Sequence, residues 1–168
     1  AGRSLYNMTF STTLEGEYDV EILRRSIFLT IERHEILRTV FKMEESGELR
    51  QYIIPYDCFE LDIPFFDIRA EEDKENKVLF YTKEEASKPF DLVKGPLVRA
   101  CFFQLENNRY TLNYSMHHII SDGWSMEVLS KDILTFYTAI INNNSIKLSP
   151  LKIQYKDYAQ WQNLQLKG

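Results

Sequence analysis

The sequence predicts an α+β fold in which a mostly antiparallel or mixed sheet packs against helices. Strand-like and helix-like periodicities follow one another as strand, helix, two strands, helix, two strands, helix, helix. Two pairs of strand-like runs are joined by short turn sequences, Glu45-Ser46-Gly47 and Glu106-Asn107-Asn108, as in hairpins. The other long segments carry apolar residues at helical spacing, and no internal repeat or low-complexity tract stands out.

Residues 6–14, rich in Thr, Phe and Met, read as a strand, and Gly16-Glu17 as a turn. Asp19 is a candidate N-cap, with Ile22 three residues on in place of the Glu of a capping box. Val20, Leu23, Ile27, Ile31 and His34 then recur at helical spacing, which predicts a helix over 19–34. Residues 38–44 and 48–54 form the first predicted hairpin, and Pro55 and Pro64 bracket an irregular segment. Residues 71–87 are helical in composition until Lys88-Pro89 ends the helix. Phe90-Asp91-Leu92 and Gly95-Pro96 mark a loop before the second hairpin, 97–105 with 109–116. Trp124, Val128, Leu129, Ile133, Phe136, Tyr137 and Ile140 predict a helix over 124–141, terminated by Asn142-Asn143-Asn144. A short aromatic helix is expected over 157–166.

The 168 residues suit one domain or one large lobe, and nothing in a composition with 44% hydrophobic residues points to disorder. A net charge of -5, from 20 basic and 25 acidic residues, argues against a nucleic-acid partner. The charged stretch 69–77 reads as a solvated helix face. Cys58 and Cys101 belong to no CxxC or Cys/His cluster, so no metal site is expected. Both read as buried thiols of a reducing compartment, which makes a cytoplasmic location the expectation. No apolar run approaches the roughly 20 residues needed to span a bilayer, and no signal peptide is visible.

The segment with chemical content is Met116-His117-His118-Ile119-Ile120-Ser121-Asp122-Gly123-Trp124-Ser125, between a strand and a helix. Two of the three histidines stand side by side there. On a strand they would point to opposite faces and so differ in environment. Gly123 would allow an unusual backbone angle or a close substrate approach. Asp122 could cap the following helix or pair with an arginine. A positioned His can accept or donate a proton near neutrality. From these residues alone, a packed hydrogen-bonded pair and a catalytic His both remain open. GxSxG is absent, so Ser121 and Ser125 read as loop or cap hydroxyls.

His117-His118-Ile119-Ile120-Ser121-Asp122-Gly123 resembles the HHxxxDG motif of nonribosomal peptide synthetase condensation domains, a pattern shared with chloramphenicol-acetyltransferase-like enzymes. Residues 33–41, RHEILRTVF, are similar to the family's RHExLRTxF motif, and residues 155–161, YKDYAQW, to its YxDFAxW motif. Lys88-Pro89-Phe90-Asp91-Leu92, Gly95-Pro96-Leu97 and Arg99 also look like the family. The resemblance implies a chloramphenicol-acetyltransferase-like half domain, with residues 1–168 as the N-terminal lobe of a condensation domain. The family's first motif, and the motifs of a C-terminal lobe, are not found. Since the family's active site lies in a tunnel between two lobes, the lobe alone is expected to be inactive.

The same resemblance implies the site residues. His118 is the catalytic candidate, for attack of an acceptor aminoacyl amine on a donor thioester. It would act as a general base or as a positioning and electrostatic group. His117 is mainly structural. Asp122 holds the loop through a salt bridge for which Arg38 is the expected partner; a surface Arg38 flanking a strand is the alternative. Gly123 either offers its N–H to substrate or permits the turn. His34 caps or packs at a helix end rather than touching substrate. Trp124 and Trp161 are core or inter-lobe contacts. No cofactor is expected on this lobe, because the substrates ride on the phosphopantetheine of peptidyl or acyl carrier proteins. The implied partners are those carriers, the C-terminal lobe and an adjacent adenylation domain. An epimerization domain shares HHxxxDG, but the RHExLRTxF match argues against it. A free acyltransferase is disfavoured by the flanking motifs. A non-catalytic module binding a carrier protein or partner enzyme would be expected to have a degraded motif, and here it is intact.

Overall fold

A computed structural model describes residues 7–120 and 126–142. Among these, four strands build one sheet in the order β1-β6-β5-β4. They are β1 (Asn7–Glu15), β4 (Phe65–Asp67), β5 (Val98–Glu106) and β6 (Arg109–His117). The short strands β2 (Thr39–Met43) and β3 (Leu49–Ile53) form a separate two-stranded sheet. The helices are α1 (Val20–Arg33), α2 (Lys74–Ser87) and α3 (Met126–Ile141). This is the expected α+β arrangement.

β6 is the organising strand. It pairs antiparallel with β1 from Asn7↔His117 to Glu15↔Arg109, and with β5 from Val98↔Met116. Its side chains alternate across the sheet. Tyr110, Leu112, Tyr114 and Met116 enter the main core with Leu23, Ile27 and Ile31 of α1 and Leu129 and Ile133 of α3. Thr111, Asn113, Ser115 and His117 face the opposite side. There α2 covers part of the sheet, and Asn113 Nδ2 donates to Thr82 Oγ1 at 2.9 Å. A smaller core of Ile68, Val78, Cys101, Phe103 and Leu105 lies beneath that helix.

α1 forms where its apolar stripe predicts. Leu23, Ile27, Thr30 and Ile31 are buried, and the Ile22 N–H donates to Asp19 Oδ1 at 3.1 Å, satisfying one orphan donor of the first turn. α3 buries Leu129, Ile133 and Tyr137 at helical spacing. Tyr137 Oη accepts from the Asp19 N–H at 2.7 Å, so α3 also completes the cap of α1.

Several elements differ from the sequence-based expectation. β4 is an additional strand, parallel to β5 through Phe65↔Phe102, just past the segment read as irregular and where the sequence reading placed no element. Three residues are too few to display a two-residue period, and only the neighbouring strand creates the element. α2 begins at Lys74 rather than 71, because Asp73 lies in the left-handed region (φ 58°), where an Asp is tolerated but a helix cannot continue. Glu35–Arg38 form a 3-10 turn, which delays β2 to Thr39. Cys101 is buried as expected, whereas Cys58 is exposed because it ends a 3-10 turn on a surface connection. The expected helix over 157–166, and Trp124 and Trp161, lie outside the described residues. Among the described residues, no helix is long and apolar enough to cross a membrane.

The small sheet is tied, beside Gly95, to the loop that leads into β5. The Phe41 N–H of β2 donates to Leu92 O at 2.8 Å, and Gly95 stands against Val40 with φ +64°. A Cβ at position 95 would come within 2.6 Å of Val40 Cγ1. Gly95→Ala is therefore expected to lower stability by about 1–3 kcal/mol, through steric overlap and a left-handed backbone together. Urea denaturation of the variant checks this.

Candidate active site

The site begins where β6 ends. His117 is the last residue of the strand, and its N–H donates to Leu97 O at 3.0 Å. His118, Ile119 and Ile120 then form one 3-10 turn. Ile120 is fully buried and Ile119 packs on the core, so the turn is pinned from below. The turn, rather than strand alternation, separates the two imidazoles. Only His117 is on the strand, which corrects the reading of both as strand residues.

The histidines receive different surroundings. The Ile119 N–H donates to His117 Nδ1 at 3.0 Å, which makes that nitrogen an acceptor and places the proton of the neutral ring on Nε2. The ring meets Phe90 edge to face with centroids 6.3 Å apart. Burial, and secondarily the charge of His118, hold the His117 pKa below its ordinary value. This is the environment of a structural imidazole.

His118 is exposed, with Nδ1 3.2 Å from the Met8 sulfur on β1. A thioether can only accept, so the contact favours the tautomer with its proton on Nδ1 and the lone pair on Nε2. In that form His118 can take a proton at Nε2. Met8 pairs with Met116 across the β1–β6 ladder, so sheet register brings the sulfur to the imidazole. Sequence reasoning did not find Met8, which is 110 positions from His118.

Arg38 is buried, which removes the surface alternative. Its guanidinium donates to three backbone carbonyls: Ile31 O at 3.2 Å, Glu32 O at 3.1 Å and Ile54 O at 2.8 Å. The first two are orphan acceptors at the C-terminal end of α1, and the third lies just past β3. Arg38 thus joins α1 to the small sheet. Its expected partner Asp122, together with Gly123, lies outside the described residues.

His34 is the C-cap residue of α1 and is fully buried, as the capping expectation requires. Its Nε2 lies 2.6 Å from Asp132 Oδ2 on α3. Burial lowers its pKa, and the Asp132 carboxylate offsets this only in part. Asp132 was also missed by sequence reasoning. The available signal was its place beside Leu129 and Ile133, an acid bordering a buried stripe.

On the α2 side of the sheet, a cavity of about 160 Å³ is lined by Thr9, Tyr81, Glu85, Arg99, Cys101 and Ser115, among others. Burial pushes the Cys101 thiol up to about 12, so it remains protonated at neutral pH and is no nucleophile. Among the described residues, no group of acidic, His and Cys side chains could hold a metal ion.

These pKa directions have a consequence for stability. Folded His34 and His117 both bind protons less readily than the unfolded chain, whose histidines titrate near 6.5. Their stabilising effect is complete above that pH and is lost as pH falls from 6.5 toward the lower folded values. Urea denaturation should show lower stability at pH 5.5 than at 7.5, and His34→Gln should reduce the difference. The carboxylates held below their ordinary range, Asp67, Glu75 and Asp91, titrate at lower pH and do not contribute in this window.

Comparison with known proteins gives consistent matches. The family model "Condensation domain" matches residues 1–168. One of the linear gramicidin synthase proteins of Brevibacillus parabrevis is 41% identical over 166 residues, covering 98% of this chain and 2% of that protein. Malpinin synthetase of Mortierella alpina is 37% identical over 163 residues, covering 97% of this chain and 2% of that protein. Among solved structures, the starter condensation domain of rhizomide synthetase superposes with a TM-score of 0.80 at 20% identity, over 88% of this chain and 35% of that one. The first condensation domain of the calcium-dependent antibiotic synthetase, in complex with a substrate analogue, gives 0.82 at 21% identity, over 87% of this chain and 35% of that one. The chain therefore spans about 2% of the length of these synthetases and about a third of the solved chains.

Proposed function

Because the chain belongs to the condensation-domain family, we propose that it is the N-terminal lobe of a condensation domain in a nonribosomal peptide synthetase, and that His118 acts in peptide-bond formation. The carrying observation is the exposed imidazole at the end of the central strand, with Nδ1 3.2 Å from the Met8 sulfur; the tautomer this contact favours carries its lone pair on Nε2.

The reaction joins two substrates tethered as thioesters to carrier proteins. The acceptor amine attacks the donor carbonyl carbon, the C–N bond forms, the C–S bond breaks and the donor carrier's thiol leaves. The amine loses a proton on the way, and the departing sulfur needs one. His118 Nε2 is suited to take the first and to return it as the second. Charge stabilisation at the tetrahedral intermediate, and the positioning of two tethered substrates, account for the rest of the acceleration.

The other motif residues serve this one. His117, through its bond from the Ile119 N–H, holds the turn on which His118 sits. By the family resemblance Asp122 is assigned the role of holding the loop through a salt bridge to Arg38, and Gly123 that of offering its N–H to substrate or of permitting the turn. Arg38 secures α1 and the small sheet behind the site. The second wall of the tunnel comes from a C-terminal lobe. Carrier proteins deliver the substrates, an adenylation domain works alongside, and no cofactor is bound by this lobe. The synthetase is cytoplasmic.

His118→Ala in the intact synthetase, assayed with loaded carrier proteins, should cut product formation by about 10²-fold or more with folding retained. A folded variant with unchanged turnover refutes the assignment. The 168-residue chain alone should form no dipeptidyl product from the same carriers.

A further inference from the structure

α1 and α3 meet through Ile27, Ile31, Leu129 and Ile133, all buried. Such apolar contact is non-directional and does little by itself to set how far one helix slides or turns on the other. Among the described residues, polar contacts add that information at two places. At one place Tyr137 of α3 accepts from the Asp19 N–H at 2.7 Å. Nearer the start of α3, Asp132 Oδ2 lies 2.6 Å from His34 Nε2 and 3.1 Å from Arg33 Nε. Both ends of this second contact are constrained. His34 is fully buried, and its backbone N–H donates to Thr30 O at 3.1 Å, so packing confines the ring and the helix end fixes the backbone that carries it. The adjacent Arg38 is tied to the carbonyls of Ile31 and Glu32.

A carboxylate at a helix interface is poorly explained by stability alone, since an apolar pair of similar volume often stabilises as much or more. What a short hydrogen bond to a fixed donor adds is direction. We propose that the Arg33–His34–Asp132 cluster is a positioning device that sets the register of α3 on α1, and so the seating of Leu129 and Ile133 in the core that also holds Met116 and Ile120 beneath the His118 turn. This rests on the reading of His118 given above. With the cluster removed, Tyr137 is left to direct the interface among the described residues, and α3 can pivot about that contact. Displacement of an active-site group by about 1 Å can lower turnover by about 100-fold. Asp132 and His34 are thus positioning residues acting through that core, and they do not touch substrate.

The test uses the intact synthetase with loaded carrier proteins. It compares Asp132→Asn, the double variant His34→Leu/Asp132→Leu, and His118→Ala as reference. Thermal unfolding, kcat and KM for carrier-bound substrate, and amide hydrogen exchange along α3 are measured for each. In the double variant the apolar pair should restore thermal stability to near wild type. Its kcat should nonetheless stay at least ~10-fold down with KM within about twofold, and α3 amides should exchange faster than in wild type. Asp132→Asn keeps the shape while weakening the hydrogen bond to His34 and removing the ion pair with Arg33. It should fold, with kcat reduced about 3- to 10-fold and faster α3 exchange. If the double variant does not fold, Asp132→Asn decides by the same readings. Unchanged α3 exchange overturns the proposal, as does wild-type kcat in the deciding variant while His118→Ala is inactive. If His118→Ala remains active, the reading of the site fails, and α3 exchange alone decides the register.

Discussion

The two-sided pairing of β6 is the constraint on which the rest of the structure depends. Held between β1 and β5, the strand has one register, because a slip of one residue would turn Leu112, Tyr114 and Met116 out of the core and bring Asn113 and Ser115 into it. That register fixes where the strand stops. His117 takes the last bond of the ladder side, to Leu97 O, and His118 begins the turn. It also brings Met8 to His118. The placement of the imidazole thus follows from burial of apolar side chains along the same strand.

The division of labour between the histidines has a local cause and a tertiary one. Locally, the 3-10 turn aims the Ile119 N–H at His117 Nδ1 and commits that ring. The tertiary part is the contrast in exposure, with His117 against Phe90 and His118 at the surface. One ring is held by the Ile119 N–H and Phe90, and the other stands exposed beside Met8. A polar sheet face of Thr9, Asn113 and Ser115 runs up to the same end, on the side away from the main core.

Behind the site, charged groups join elements of the fold to one another. Arg38 gathers three carbonyls, and Asp132 gathers His34 and Arg33. Each joins elements that the apolar core brings together without specifying their alignment. All three of Arg33, His34 and Arg38 fall within one motif, RHEILRTVF, which reads here as the junction of α1, α3 and the small sheet.

By itself, the sequence determined the elements that repeat. α1 and the two hairpins were legible because three or more periods of apolar spacing, an N-cap at Asp19 and turn residues at 45–47 leave one reading of the backbone. The ordered motifs pointed to the family, whose model matches residues 1–168, and they marked His118 as the candidate. Tertiary structure alone decided β4, which has three residues and exists through its pairing with β5. It also decided the exposure of Cys58 and the contacts of His118 with Met8 and of His34 with Asp132, separated by 110 and 98 positions. The physical reason is common to these cases. Periodicity reports which side of an element is buried, but not which partner lies opposite, and a partner is chosen only when the sheet register and the helix packing are both set.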